Sequence, residues 1–215
     1  LKQQINPHFL YNTLDMIRLK AAINKDTEVS QMLMKLVSFY RLSTKVYDSM
    51  VAVRKEVEML DAYMSLMCYR YSDIIYRSEI EPGALDIEIP NFILQPLLEN
   101  SLMHGLKDRR YQGTIILKIY RNEQDKNELN IWLIDDGIGI PDDKMAELNA
   151  YNAKDSEALY RVQTRTEGDR THLGVINVIS RLKLYYQENA EVIYMRNETG
   201  GTTVKIKIKT ASEET

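Results

Sequence analysis

The residues of this chain that could do chemistry are unevenly placed. His8 stands in NPHFLYN (6–12), His104 in QPLLENSLMHG (95–105) and His172 in HLGVINVISRL (172–182), while DDGIGI (135–140) sets two glycines beside two aspartates. Gly105, Gly137, Gly139, Gly174 and the pair Gly200–Gly201 make up six of the nine glycines.

Each cluster suggests its own chemistry. An imidazole is a nucleophile or proton carrier near neutral pH. Successive helical residues turn by about 100°, which lines Leu10, Leu14, Ile17 and Ala21 into one apolar seam and sets His8 about 150° from its centre, beside Asn12 and Asp15. His8 therefore projects toward solvent, either open to a partner or as an ordinary surface histidine near a helix start, with Pro7 in the first turn. Glu99 and Asn100 carry the hard oxygen donors that Mg2+ takes when phosphates supply its remaining ligands. His104 lies one turn on from Asn100; Gly105 and His104 also read as an ordinary helix end.

DDGIGI follows the apolar run NIWLI, so its carboxylates sit at a strand end. There Asp135 could accept an exocyclic amine while Gly137 and Gly139 clear room for a ring, although Asp-Gly is equally a common turn. Gly174 reads as the N-terminus of a helix, where unpaired N–H groups and the positive end of the dipole favour phosphate, or as a loop glycine before an amphipathic helix. Gly200–Gly201 reads as a hairpin turn. The chain has no GxxxxGK[ST], GxGxxG, GxSxG or HExxH pattern.

Positioning these groups requires a packed scaffold. The 215 residues, 44% hydrophobic and 27% charged, suffice for one large domain or two small ones and exclude collagenous, disordered and disulfide-stapled chains. A net charge of -3 gives no general attraction to nucleic acid or anionic lipid. Cys68 is the one cysteine, and no zinc-type spacing occurs. No run approaches the roughly 18 apolar residues of a membrane span. The chain opens on Leu1 in helical sequence, which reads as a start inside a longer protein.

Apolar periodicity predicts helices over about 1–23, 27–47 and 53–72, in a stretch with Pro7 and no glycine. Beyond about 74 the pattern predicts a helix through FILQPLLENSLMHG, strands at TIILKIYR and ELNIWLID, helices near 142–150 and 173–187, and strands at AEVIYMRN and TTVKIKIK. Strands are thus expected only in the C-terminal two thirds, and the polar tract before His172 reads as mobile. A helical region feeding an α/β sandwich follows, α+β in class.

In order and spacing, the four clusters resemble the kinase core of bacterial sensor histidine kinases of the LytS and YesM branch. NPHFLYN resembles the phosphoacceptor box, QPLLENSLMHG the N box, DDGIGI and HLGVINVISRL the two glycine boxes, and EVEMLDAYMSLMCYRYSD the helix that links the two modules. The resemblance implies a helical dimerisation and phosphoacceptor region over 1–75, then a GHKL-type (Bergerat) ATPase domain over 76–215 with an ATP lid at about 152–172. It implies phosphorylation of His8, Asn100 binding Mg2+ that bridges the ATP phosphates, and Glu99 activating or orienting. Asp135 would bind adenine, Gly137 and Gly139 shape the pocket, and Gly174 and Asn177 close its phosphate end. ATP and Mg2+ are the implied cofactors, and the implied partners are a response regulator and a second copy of the chain, with no direct nucleic acid. A membrane would be reached only through an upstream region, on its cytoplasmic side.

The chain departs from the family pattern at Phe9, where an acidic residue often follows the acceptor, at Met103, where His104, Lys107, Arg165 or Arg170 could supply the charge, and at His172-Leu173-Gly174-Val175. These departures motivate two alternatives, a nucleotide-binding dimeric module and a GHKL ATPase without histidine kinase activity. Transfer between modules also requires a hinge, expected near 73–90.

Overall fold

Alternation in the strands and a 3.6-residue period in the helices put two apolar surfaces face to face. The computed structural model describes residues 7–44, 49–153, 159 and 170–210. Helices α1 (Pro7–Ile23) and α2 (Thr27–Ser43) form a hairpin, with the Asp26 carboxylate accepting the Val29 N–H at the start of α2 (3.1 Å). Tyr11 and Tyr40 meet edge to face across it, centroids 5.3 Å apart. Strand β1 (Met50–Ala52) then leads into α3 (Val53–Arg70). The hairpin docks on α3 through Phe39 against Tyr63 (5.3 Å) and a Lys35 Nζ to Ser65 Oγ hydrogen bond of 2.7 Å.

The second layer is a five-stranded sheet, ordered β2 (Ile74–Ile80), β4 (Gly113–Arg121), β5 (Glu128–Asp135), β7 (Thr202–Lys209), β6 (Ala190–Arg196). Its β2–β4 pair is parallel and the rest are antiparallel. Register carries one buried row across four strands, Ile119–Ile131–Ile206–Val192, and each such side chain contributes about 1.5–3 kcal/mol relative to exposure. Against it pack α3, α4 (Leu94–Asn100) and α6 (Arg170–Tyr186), through Leu60, Met64, Leu97, Leu98, Ile176 and Ile179. Pro96 is tolerated because it occupies the first turn of α4. A short strand β3 (Glu88–Pro90) pairs with β1, and α5 (Asp142–Ala150) follows the DDGIGI loop.

The architecture is α+β, a helical hairpin followed by an α/β sandwich, and four points correct the sequence reading. Strand β1 lies before α3, so strands are not confined to the C-terminal two thirds; at three residues each, β1 and β3 are too short for periodicity to reveal. The segment expected to hinge near 73–90 is instead β2, a 3₁₀ turn and β3, with β2 paired to β4 along seven residues. The 92–105 helix does not end at Gly105 but continues as a π-helical segment, Ser101–Leu106, and a 3₁₀ turn. Helix α6 starts at Arg170, which puts Gly174 in its second turn, because no proline or glycine interrupts residues 170–173. Of the expected lid, residues 152–153 form a 3₁₀ turn with Tyr151 and Leu159 is buried in the core; residues 154–158 and 160–169 lie outside the described residues, Arg165 among them.

Strand β6 ends the sheet, and an edge strand presents unpaired backbone groups. Two asparagines cover it. The Asn149 amide both donates to Tyr194 O (2.9 Å) and accepts from Tyr194 N (2.8 Å), and Asn152 does the same with Val192, its carbonyl accepting Val192 N at 3.0 Å. The Asn149→Ala/Asn152→Ala pair should cost about 1–3 kcal/mol of unfolding free energy in urea titration and promote association through the exposed edge. An unchanged midpoint and an elution profile identical to that of the unaltered chain would contradict this account of the edge.

Candidate functional site

The C-terminal end of β5 delivers Asp135 to a buried position where a carboxylate must find donors. Its Oδ2 accepts from Ser101 Oγ (2.9 Å) and its Oδ1 from the N–H groups of Gly137 (3.0 Å) and Thr202 (3.2 Å). Asn197 Nδ2 donates to the Asp135 carbonyl at 2.8 Å. Burial pushes the carboxyl above its ordinary range, and the Ser101 hydroxyl and the two N–H groups pull partly back. A carboxylate has about four acceptor positions, so a lone pair on Oδ2 remains beyond these three donors.

Two glycines make this arrangement possible. A Cβ on Gly137 would come within 2.5 Å of the Gly105 carbonyl oxygen, so the loop can lie against the π-helical segment only without a side chain. Gly139 adopts φ +76°, and a Cβ there would also strike the Gly200 carbonyl.

Beside Asp135 lies a cavity of about 610 Å³. Its apolar wall is Leu97, Ile138, Ile140, Leu148, Val175 and Val204, and its polar rim is Asn100, His104, Lys107, Asp108 and Lys144. An apolar slot with a carboxylate acceptor inside and lysines at the rim suits a flat heteroaromatic ring that bears an amino group and carries anionic groups outward. A larger groove of about 1210 Å³ opens near Tyr120, Asn122 and Lys207, but no residue of the four clusters borders it.

The predicted residues divide around this cavity. Asn100, His104, Asp135 and Gly139 line it, together with Met103 and Lys107. Gly137 stands behind, shaping the loop. Glu99 does not line it: its carboxylate accepts from Gln95 (2.8 Å), and its charge is among the causes, after burial, that push the Tyr63 phenol on α3 up to about 12. Gly174 sits near Pro96 and Asn177 is exposed on α6; neither borders the cavity, although Val175 does. His8 is exposed near the start of α1, with the Asn12 amide 3.4 Å from its Nδ1. The side chains of Arg170 and His172 lie outside the described residues. Sequence reasoning missed Ser101, Asn197 and Thr202. Ser101 is adjacent to Asn100 and could have been found by asking what satisfies a buried Asp135; Asn197 and Thr202 arrive from 62 and 67 residues away and carry no local signal.

Residues 1–75 match the family described as Histidine kinase, and residues 86–212 match the family described as Histidine kinase-, DNA gyrase B-, and HSP90-like ATPase. The chain is 34% identical over 208 residues to the sensor protein LytS of Oceanobacillus iheyensis, covering 95% of this chain and 33% of that protein. It is 27% identical over 212 residues to the sensor histidine kinase YpdA of Escherichia coli, covering 97% and 33%. The chain thus spans about a third of the length of these relatives. In fold it is similar to the catalytic domain of histidine kinase ThkA (TM-score 0.51, 12% identity, 77% of this chain and 97% of that one). The mycobacterial sensor histidine kinase MprB gives a TM-score of 0.50 at 14% identity, over 76% of this chain and 97% of that one.

Because the folded state raises the Asp135 carboxyl, it holds that proton to higher pH than the unfolded chain does, so stability falls as pH rises from the ordinary carboxyl range through the raised value. In Asp135→Asn the amide oxygen can accept both N–H groups and the amide nitrogen can donate to Ser101. The variant should keep or gain stability at pH 7; an adenine amine seated against this position would then meet an N–H, so ATP should bind about 10- to 100-fold more weakly. Calorimetric titration and urea unfolding check both halves; equal loss of stability and affinity would contradict the assignment.

Proposed function

For a chain that belongs to the histidine kinase family and carries its GHKL-type ATPase domain, we propose the role of ATP-dependent protein-histidine kinase in two-component signalling. The observation that supports it best is the buried Asp135 carboxylate, with an acceptor position beyond its three donors, at the apolar end of a cavity whose rim carries Asn100, His104 and Lys107. Residues 1–75 serve as the acceptor and dimerisation region and 76–215 as the nucleotide domain.

In this reading adenine enters the apolar slot and gives its amino hydrogen to Asp135. Asn100 would hold Mg2+ through its amide oxygen, and the ion would supply positive charge to offset that of the phosphates. Among the described residues no group of three His, Cys, Asp or Glu side chains could hold a metal. His8 attacks the γ-phosphorus through a ring-nitrogen lone pair. A nitrogen–phosphorus bond forms, the bond to the bridging oxygen breaks, and ADP leaves with that electron pair while the imidazole proton passes to solvent. The Asn12 amide nitrogen lies 3.4 Å from the ring Nδ1 and donates to it when that nitrogen is unprotonated. The phosphoryl group then moves to an aspartate of a response regulator.

Dimerisation is supported by α1. Phe9 (67% exposed), Met16 (63%) and Ile23 (80%) recur every seven residues, opposite the seam that faces α2, and a second copy would cover them. Ile17 of the predicted seam is itself 48% exposed. The length of the relatives supports a sensing region elsewhere in a longer protein, and the family resemblance puts this part on the cytoplasmic side of a membrane. Among the described residues no helix is long and apolar enough to cross a membrane.

Glu99 turned toward α3 and Phe9 after His8 favour a second reading, a nucleotide-binding dimer that transfers nothing, or an ATPase of the same fold. Incubation with γ-labelled ATP and Mg2+ separates the three. Acid-labile, alkali-stable label on the protein supports the kinase; binding without label, or phosphate release without label, supports the others. His8→Gln should abolish the label, keep ATP binding and change stability by no more than about 0.5 kcal/mol, since one exposed polar residue replaces another. Label that persists in His8→Gln would move the acceptor to His104 or His172.

A further inference from the structure

Helix α4 carries Asn100 at its last position, yet lacks a cap of its own. Its N-cap residue is Ile93, whose side chain can accept no hydrogen bond. The orphan donors of that turn are satisfied from another element: Glu56 on α3, only 1% exposed, accepts Phe92 N at Oε1 (2.7 Å) and Ile93 N and Leu94 N at Oε2 (3.1 Å each). The chain enters this turn with Phe92 at φ +58°, a conformation costly for a residue with a side chain, so the cap holds the backbone where it would not rest unaided. Burial pushes the Glu56 carboxyl above its ordinary range, and the three backbone N–H groups and the charge of Arg181 on α6, whose guanidinium donates to Asn91 O, pull it partly back.

The other end of the segment is held by α3 as well. Tyr71, which caps α3, stacks on Tyr111 with centroids 3.9 Å apart and planes 19° apart. The Tyr111 hydroxyl donates to Met103 Sδ at 3.7 Å, and Met103 lines the cavity. Between these anchors α4 is a short rod, its six steps from Leu94 to Asn100 spanning about 9 Å. Displacement of α3 relative to the sheet is therefore passed to α4 and Asn100, whereas Asp135 takes two of its three donors, the N–H groups of Gly137 and Thr202, from its own loop and β7.

We propose that Glu56 is a positioning residue for the nucleotide site: by capping α4 from α3 it sets the place of Asn100, and so couples the phosphate end of the site to the helix that carries the acceptor hairpin. This rests on the nucleotide reading of the cavity.

Two probes separate the ends of the site. Adenosine reaches only the Asp135 end, whereas Mg-ATP needs Asn100 too. In the full chain, well below the unfolding midpoint, Glu56→Gln should weaken Mg-ATP about tenfold, as a charge-assisted cap becomes a neutral amide, and leave adenosine within about twofold. A folded variant with unchanged Mg-ATP affinity, or with both ligands weakened equally, overturns the proposal. If Glu56→Gln fails to fold by circular dichroism, Arg181→Gln keeps Glu56 in place and removes the bond to Asn91; it should show the same split at about threefold, and no split overturns the proposal. Failure of the unaltered chain to bind Mg-ATP would instead overturn the nucleotide reading itself.

Discussion

A carboxylate buried at the end of a strand is tolerable only if donors surround it, and the donors to Asp135 come from three places in the chain. Ser101 reaches it from the segment after α4, Gly137 from its own loop and Thr202 from the start of β7, while Asn197 ties down its carbonyl. Those bonds pin the N box, the glycine loop and the sheet to one point. They also explain why the Gly137 loop must press on Gly105 without a side chain: a wider loop would carry the Gly137 N–H out of reach. The cavity is the space left when these elements meet, with one acceptor position of Asp135 still unfilled.

The second constraint is the placement of α3. It follows the acceptor hairpin in sequence, but Val53, Val57, Leu60 and Met64 belong to the core of the sandwich. Through Phe39–Tyr63 and Lys35–Ser65 it also carries the hairpin. Strand β2, where a hinge was expected, is built into the sheet, so any motion of the hairpin relative to the sandwich has to occur at the contacts of α3 or before it.

Much of this was legible where the physics is local. Strands β4 and β7 and helix α5 follow from alternation and amphipathic spacing, because their buried positions recur along one face. Strand β2 was missed because only Ile74, Tyr76 and Ile80 turn inward while Ile75, Arg77 and Glu79 are exposed, a pattern typical of an edge. The start of α6 was misjudged because a polar first turn has no apolar period to read. At the site, Asp135 and Asn100 were legible from residue type and spacing, whereas Thr202, Asn197 and Glu56 act across 36 to 67 residues and become visible only once the chain has folded. Glu99 shows the limit from the other side: its neighbour Asn100 faces the cavity, and a helical step of about 100° turns Glu99 toward α3.

The central claim is that Asp135 reads a purine amino group while Asn100 serves the phosphate end. Calorimetric titration of the unaltered chain with ATP and GTP, each with and without Mg2+, tests it most directly. Guanine places a carbonyl oxygen where adenine has its amine, opposite an acceptor, so ATP should bind at least about tenfold more tightly than GTP, and removal of Mg2+ should weaken ATP. Equal affinity for the two nucleotides, or ATP binding indifferent to Mg2+, would contradict the account.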